Sequence, residues 1–168
     1  AGRLAGEHLL GLGRKRIAFI GQADEHYPEF ADRYRGLAQA MAAAGLAADP
    51  ALQVAALSSE GDGRAAIEAL LARGAEFDAV FAASDLIAIG AMRALAEAGR
   101  KIPDDVAVMG FDDIPAASLT SPPLTTVQQD LMAAGELLVE TLAEQIENRV
   151  SANRVLAPRL MVRASTTG

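Results

Sequence analysis

The sequence has no cysteine, so disulfides and thiolate chemistry are excluded, although that absence alone does not identify a redox compartment. Histidine is nearly as scarce. His8 and His26 are the only two, they lie far apart, and they make no metal-ligand pattern. No apolar run approaches the roughly 18–20 residues that a membrane-spanning helix needs. Basic residues are outnumbered, 15 against 22 acidic, for a net charge of −7. Such a surface repels phosphate backbones and argues against direct contact with nucleic acid. The one basic run, Arg14-Lys15-Arg16, reads as a solvated turn before a strand. Neither a starting methionine nor a signal peptide is present. The chain opens inside a helical pattern, so it is expected to be a piece of something longer, and the missing signal peptide then carries no information.

What is present fits an α/β domain. The 168 residues are enough for one domain with a real core, and 51% hydrophobic against 22% charged is the balance of a soluble globular protein. Helical and strand patterns alternate. Leu4, His8, Leu9 and Leu12 have helical spacing, stopped by Gly11 and Gly13. Ile17–Gly21 is a short apolar run of the kind buried on both faces of a sheet. Helices are expected over Ala31–Ala44, Arg64–Arg73 and Leu86–Ala98, and strands over Leu52–Leu57, Ala79–Ala83 and Val106–Phe111. Four strands alternating with helices predict a doubly wound parallel sheet with right-handed crossovers and helices on both faces. The order then breaks at Asp112–Gln129, which reads as a long polar connection. Leu131–Glu147 is an amphipathic helix with Leu131, Leu138, Leu142 and Ile146 along one stripe. Arg154–Arg163 reads as a last strand, which Pro158 puts at an edge or a crossing.

Several local motifs have more than one reading. Gly11-x-Gly13 lies before its strand, not after it, so it is a helix stop and not a dinucleotide fingerprint. Gly61-Asp62-Gly63 could cradle an anion but reads first as a loop and helix cap. Asp112 and Asp113 are adjacent on an extended chain and point to opposite sides, which disfavours a shared metal or an acid/base pair. A single aspartate here could instead accept from two neighbouring hydroxyls, as a sugar diol requires. Ser84 can cap the helix that follows and still face a cleft, because it stands at a strand exit. Arg33 reads as either a solvated or a cleft arginine, and Gly36 beside it hints at close backbone packing. Tyr27 and Phe30 fall in the loop after the first strand, where they could stack on a sugar face or pack over the sheet edge.

The order of motifs resembles the sensor core of LacI/GalR-type transcription regulators along nearly the whole chain. The residues that carry it are LGLGRKRIAFIG, Arg33-Tyr34-Arg35-Gly36-Leu37, Ser84-Asp85 with Ala88-Ile89-Gly90, Ile102–Val106, Gly110–Asp113 and Pro122–Val127. The resemblance implies the carboxyl-terminal lobe of a two-lobed, periplasmic-binding-protein-like sensor that clamps a small effector, a sugar before a nucleobase. Lobe residues would be 1–127 and 154–168. Residues 128–153 would cross to a second lobe, mostly missing here, and a DNA-binding domain would be absent. By position the resemblance places effector contacts on Arg33, Ser84, Asp112 and Gln129, with Tyr27 and Phe30 as flanking candidates. Ser84 stands where asparagine is common, and the Leu57-Ser58-Ser59 stretch lacks a stacking aromatic.

The resemblance also implies a cytoplasmic homodimer that meets operator DNA only through the missing domain. Ile89, Met92, Ile114 and Leu119 are the expected dimer contacts, because the Leu86 helix is apolar on more than one side and an exposed apolar face commonly marks an interface. No metal, cofactor or membrane contact is expected. A sugar-binding protein of a transport system is the alternative. An enzyme on a flavodoxin-like scaffold is a third reading, which lacks a nucleophile-base pair, a metal cluster and a phosphate loop.

Overall fold

The computed structural model describes residues 1–147 and 154–167. It contains a six-stranded sheet in the order β2-β1-β3-β4-β5-β6. The strands are β1 (Ile17–Ile20), β2 (Gln53–Val54), β3 (Ala79–Ala82), β4 (Ala107–Asp112), β5 (Thr125–Gln128) and β6 (Arg159–Met161). The first five are parallel and β6 is antiparallel at the edge, where Pro158 placed it. The helices are α1 (Gly2–Gly11), α2 (Pro28–Ala43), α3 (Glu60–Ala72), α4 (Asp85–Glu97) and α5 (Leu131–Ile146). Right-handed crossovers put α2 on one face of the sheet and α3 and α4 on the other. Helix α1 packs on α2, and α3 packs on α4.

The core follows from the apolar strands. Every residue of β1 and β3 is buried. Phe19 and Phe81 are register partners across these strands and meet edge to face at 5.7 Å. Both helix pairs depend on bare backbone. A Cβ on Gly63 would lie 2.1 Å from the Ile87 carbonyl oxygen, and one on Gly90 would lie 1.9 Å from that of Glu60. Gly36 plays the same part between α2 and α1, where a Cβ would sit 2.6 Å from the Arg3 amide nitrogen.

The structure corrects four expectations. Asp112–Gln129 is not an irregular connection, because it holds a short 3-10 turn at Pro115–Leu119 and the buried strand β5. The polar Thr125 and Thr126 disguised that strand, and both hydroxyls are satisfied internally. Gly61-Asp62-Gly63 is the first turn of α3 and not a loop, and Ser59 caps it by accepting from the Asp62 amide at 3.1 Å. Helix α2 begins at Pro28, a residue suited to the first helical position, so Tyr27 is its cap and Phe30 lies in its first turn. Helix α4 has no free apolar face. Ile87, Ala88, Ala91 and Leu95 are fully buried, and Ile89 and Met92 are only 6% and 5% exposed. Helix α3 covers the side that the sequence pattern left open.

Helix α5 differs from the other four, because none of its residues is buried. Leu131, Leu138, Leu142 and Ile146 are all more than half exposed.

The glycine contacts generate a paired test. Gly90→Ala should cost about 1–3 kcal/mol by forcing α3 and α4 apart. Gly11→Ala should cost nothing measurable, since a Cβ there meets nothing within 4 Å. Urea unfolding of both variants checks this, and equal stabilities would refute the close-packing account.

Candidate functional site

A doubly wound sheet leaves a crevice beyond the carboxyl ends of its strands, at the point where the connections change direction. Here that point lies between β1 and β3, since β1 leads outward to β2 while β3 leads the other way to β4. The Ala83 amide donates to the Ile20 carbonyl at 2.8 Å and closes the crevice floor.

Arg33, projecting from α2, organises this end of the sheet. Its guanidinium donates to the Ala83 carbonyl at 2.5 Å, one residue before Ser84. The same group lies 3.6 Å from the centroid of the Phe111 ring, one residue before Asp112, and 5.1 Å from that of Phe30. This is a cation–π seat between the exits of β3 and β4. Arg33 is therefore not a solvated arginine. Burial lowers its pKa from the ordinary value, while the charges of Asp112 and Glu29 oppose that shift.

Asp112 ends β4 with φ at 113°, a left-handed conformation uncommon outside glycine. Its carboxyl is half-buried, which raises its pKa, while Arg33 and the Gln129 amide pull it back down. Gln129, exposed after β5, donates to Asp112 Oδ1 at 3.4 Å. Asp113 does different work, because its carboxylate accepts from Arg163 at 2.6 Å and from Gln128 at 2.8 Å. The adjacent aspartates thus diverge, with Asp112 toward Arg33 and Gln129 and Asp113 tied into the fold, but across a turn of positive φ and not on the extended chain that the sequence suggested.

Ser84 is 2% exposed and caps α4, accepting from the Ile87 amide at 3.4 Å. It also accepts from the Ser58 hydroxyl at 2.7 Å, a partner that sequence reasoning passed over. Tyr27 and Phe30 stack with centroids 6.1 Å apart, and Phe30 is buried beneath Arg33. Phe30 therefore supports the site from below. Arg33, Ser84, Asp112 and Gln129 stand at or against adjacent strand exits. A cavity of about 480 Å³ has Arg33, Phe111, Gln129, Leu131 and Leu156 in its wall, whereas Ser84 and Asp112 do not line it.

The expected dimer contacts are split. Ile89 and Met92 form the floor of a cavity of about 390 Å³ that Leu119 and the Glu60–Arg93 ion pair also border. Ile114 is half-buried, and Leu119 is 82% exposed. Ile89→Asp would place a charge in the core and so act on the fold, not on association alone.

The main residue missed by sequence reasoning is Asp85. It is fully buried, and its carboxylate accepts from the Thr126 hydroxyl at 2.6 Å and the Ile114 amide at 2.9 Å. Burial pushes its pKa up to about 6; the two hydrogen bonds oppose that shift, and the nearby Asp112 and Asp113 charges add to it. The available signal was an acid directly after the cap of an otherwise apolar helix.

The fold is that of a periplasmic-binding-protein-like domain. The pattern of the periplasmic binding protein-like domain matches residues 7–166, and the chain belongs to that family. Among its relatives is the transcriptional regulator CelR of Thermobifida fusca, 37% identical over 98% of this chain and 48% of its own length. A solved CelR–cellobiose complex is 37% identical, with a TM-score of 0.91 over 98% of this chain and 50% of that one. The lac repressor dimer, solved on its operator with an anti-inducer, is 28% identical, with a TM-score of 0.92 over 99% of this chain and 50% of that one. The chain thus spans about half the length of the curated relatives it matches. Those relatives are transcription regulators of the LacI type.

The raised pKa of Asp85 predicts a pH signature. An unfolded aspartate titrates near about 4, so between that value and about 6 the folded chain holds a proton that the unfolded chain does not. This contribution favours the fold below the unfolded value and is lost as pH rises through the folded one. Asp85→Asn does not titrate. The stability of the natural chain relative to Asp85→Asn should therefore fall by roughly 2 kcal/mol between about pH 4.5 and 7.5. Urea unfolding across that range checks it, and a difference that stays constant with pH would contradict it.

Proposed function

We propose that this chain is the effector-sensing and dimerising part of a LacI-type transcription regulator that binds a sugar between two lobes. The observation that carries this reading is the Arg33 guanidinium seated between the Ala83 carbonyl and the Phe111 ring, beside the Asp112 carboxylate. A cation and an acceptor at neighbouring strand exits suit a polyol, whose hydroxyls both donate and accept. The CelR–cellobiose complex supports a sugar as the ligand class. Names of transcription regulators among the relatives favour this reading over a transport protein. It gives the cleft a binding role and no chemical step.

In this proposal residues 1–127 and 154–168 form one lobe, and 128–153 cross to another. Residues 148–153 and 168 lie outside the described residues. The exposed apolar stripe of α5 supports the crossing, since it has no partner surface among the described residues that buries it. DNA contact falls to a domain outside this chain in this reading, and the net charge of −7 supports that by disfavouring contact with phosphate backbones. A regulator of operator DNA works in the cytoplasm, and no described helix is long and apolar enough to cross a membrane.

Asp112→Ala in the full-length protein should weaken sugar binding by about 1.5–3 kcal/mol, the worth of charge-assisted hydrogen bonds. Calorimetry against cellobiose, ribose and glucose measures it, and unchanged affinity would remove Asp112 from the site. Self-association has its own test. Leu119→Asp changes an exposed side chain, so it should raise the dimer dissociation constant about tenfold or more while leaving the melting temperature of concentrated protein nearly unchanged. Sedimentation showing an unaltered dimer would place the contact elsewhere.

A further inference from the structure

Two consecutive non-glycine residues, Asp112 and Asp113, have φ of 113° and 55°. L-residues seldom hold such a turn unless their surroundings over-determine it. The surroundings here converge on one buried group. Asp85 Oδ2 accepts from the Ile114 amide at 2.9 Å, just past the turn. Asp85 Oδ1 accepts from the Thr126 hydroxyl at 2.6 Å, and Thr126 Oγ1 accepts in turn from the Asp113 amide at 3.4 Å. The carboxylate lies over bare strand, because a Cβ on Gly110 would stand 2.2 Å from Asp85 Oδ1. Both carboxylate oxygens are thus engaged by the fold, and the residue is fully buried.

We infer that Asp85 is the positioning residue of the cleft: its buried carboxylate fastens the Asp112–Asp113 turn to β5 and to the start of α4. The role assigned to Asp112 as a ligand acceptor rests on the function proposed above; the fastening does not. Asp85 touches no ligand and acts only through the turn. This gives three sequence features one explanation. Asp85 follows the Ser84 cap so that its carboxylate faces β4 and β5. Gly110 leaves room for that carboxylate. Thr126 relays it to the Asp113 amide. The other charges around the turn are Arg163, which holds Asp113, and Arg33, which faces Asp112.

The test uses the full-length protein and three variants, Asp85→Ala, Asp85→Asn and Thr126→Val. Hydrogen exchange is read at the Asp113 and Ile114 amides, with α1 amides as an internal reference. Asp85→Ala should speed exchange at Ile114 by about tenfold or more relative to α1. Asp85→Asn should stay within about threefold, because the carboxamide oxygen still accepts from Ile114. Thr126→Val, which keeps the shape and the Asp85 carboxylate, should speed Asp113 selectively and keeps the test decisive if Asp85→Ala does not fold. Affinity is then measured for whichever of cellobiose, ribose and glucose the natural protein binds. Asp85→Ala should lose about tenfold or more, and Asp85→Asn should recover most of it. Unchanged exchange in Asp85→Ala and Thr126→Val would overturn the fastening. Faster exchange with full affinity would overturn its role in binding. If the natural protein binds none of the three sugars, the proposed ligand class fails while the exchange result still decides the fastening.

Discussion

The carboxyl-terminal end of this sheet is organised around one cation. Arg33 reaches from α2 across the crevice, where it donates to the Ala83 carbonyl and sits over the Phe111 ring. A guanidinium can do both because its plane stacks while its edge donates. The two contacts hold a helix on one face to the exits of β3 and β4, and the helix that follows β3 lies on the other face. The arrangement is costly on its own, since burial weakens the charged state of Arg33. The nearby Asp112 charge opposes that shift in part, and Arg33 in turn pulls the burial-raised pKa of Asp112 back down. Arg33 and Gln129 line the open cavity, with Asp112 next to both.

Behind this pair runs a second layer of buried polar groups that belongs wholly to the fold. Asp85 and Thr126 tie α4 to β5, and Asp113 ties the turn after β4 to Arg163 beyond β6. Thr125 joins this layer through Ser165, Thr166 and the Arg163 carbonyl. No buried side-chain polar atom among the described residues lacks a partner. Buried polar networks of this kind fix geometry when fully satisfied. The cleft therefore stands on a hydrogen-bonded base and not on loose loops, which suits a site that must hold a carboxylate in a disfavoured backbone conformation.

Apolar periodicity made β1, β3 and β4 legible, because strands buried on both faces read as continuous apolar runs. The glycine stops and the Ser84 cap placed the helices within a few residues. Periodicity failed where burial was polar. Thr125 and Thr126 read as a connection because their partners, Asp85 and the carboxyl-terminal segment, are distant in sequence. It also failed at α4, which packs closely on α3 where Gly63 meets the Ile87 backbone and Gly90 meets that of Glu60. Of the site, the strand-exit residues were visible by position and by family resemblance. Their bonding was not: Arg33 stacking on Phe111, Ser58 meeting Ser84 and Asp85 holding the turn depend on contacts that no local pattern encodes.

We propose that Arg33 and Asp112 form the recognising edge of the cleft. The most direct measurement is a crystal structure of the full-length protein with its sugar bound. One sugar hydroxyl should donate to Asp112 and another accept from Arg33, each at about 2.7–3.2 Å, with Arg33 still over the Phe111 ring. A sugar bound instead in the shallower depression lined by Gln22, Val54, Leu57 and Asp62, with Arg33 and Asp112 untouched, would contradict it.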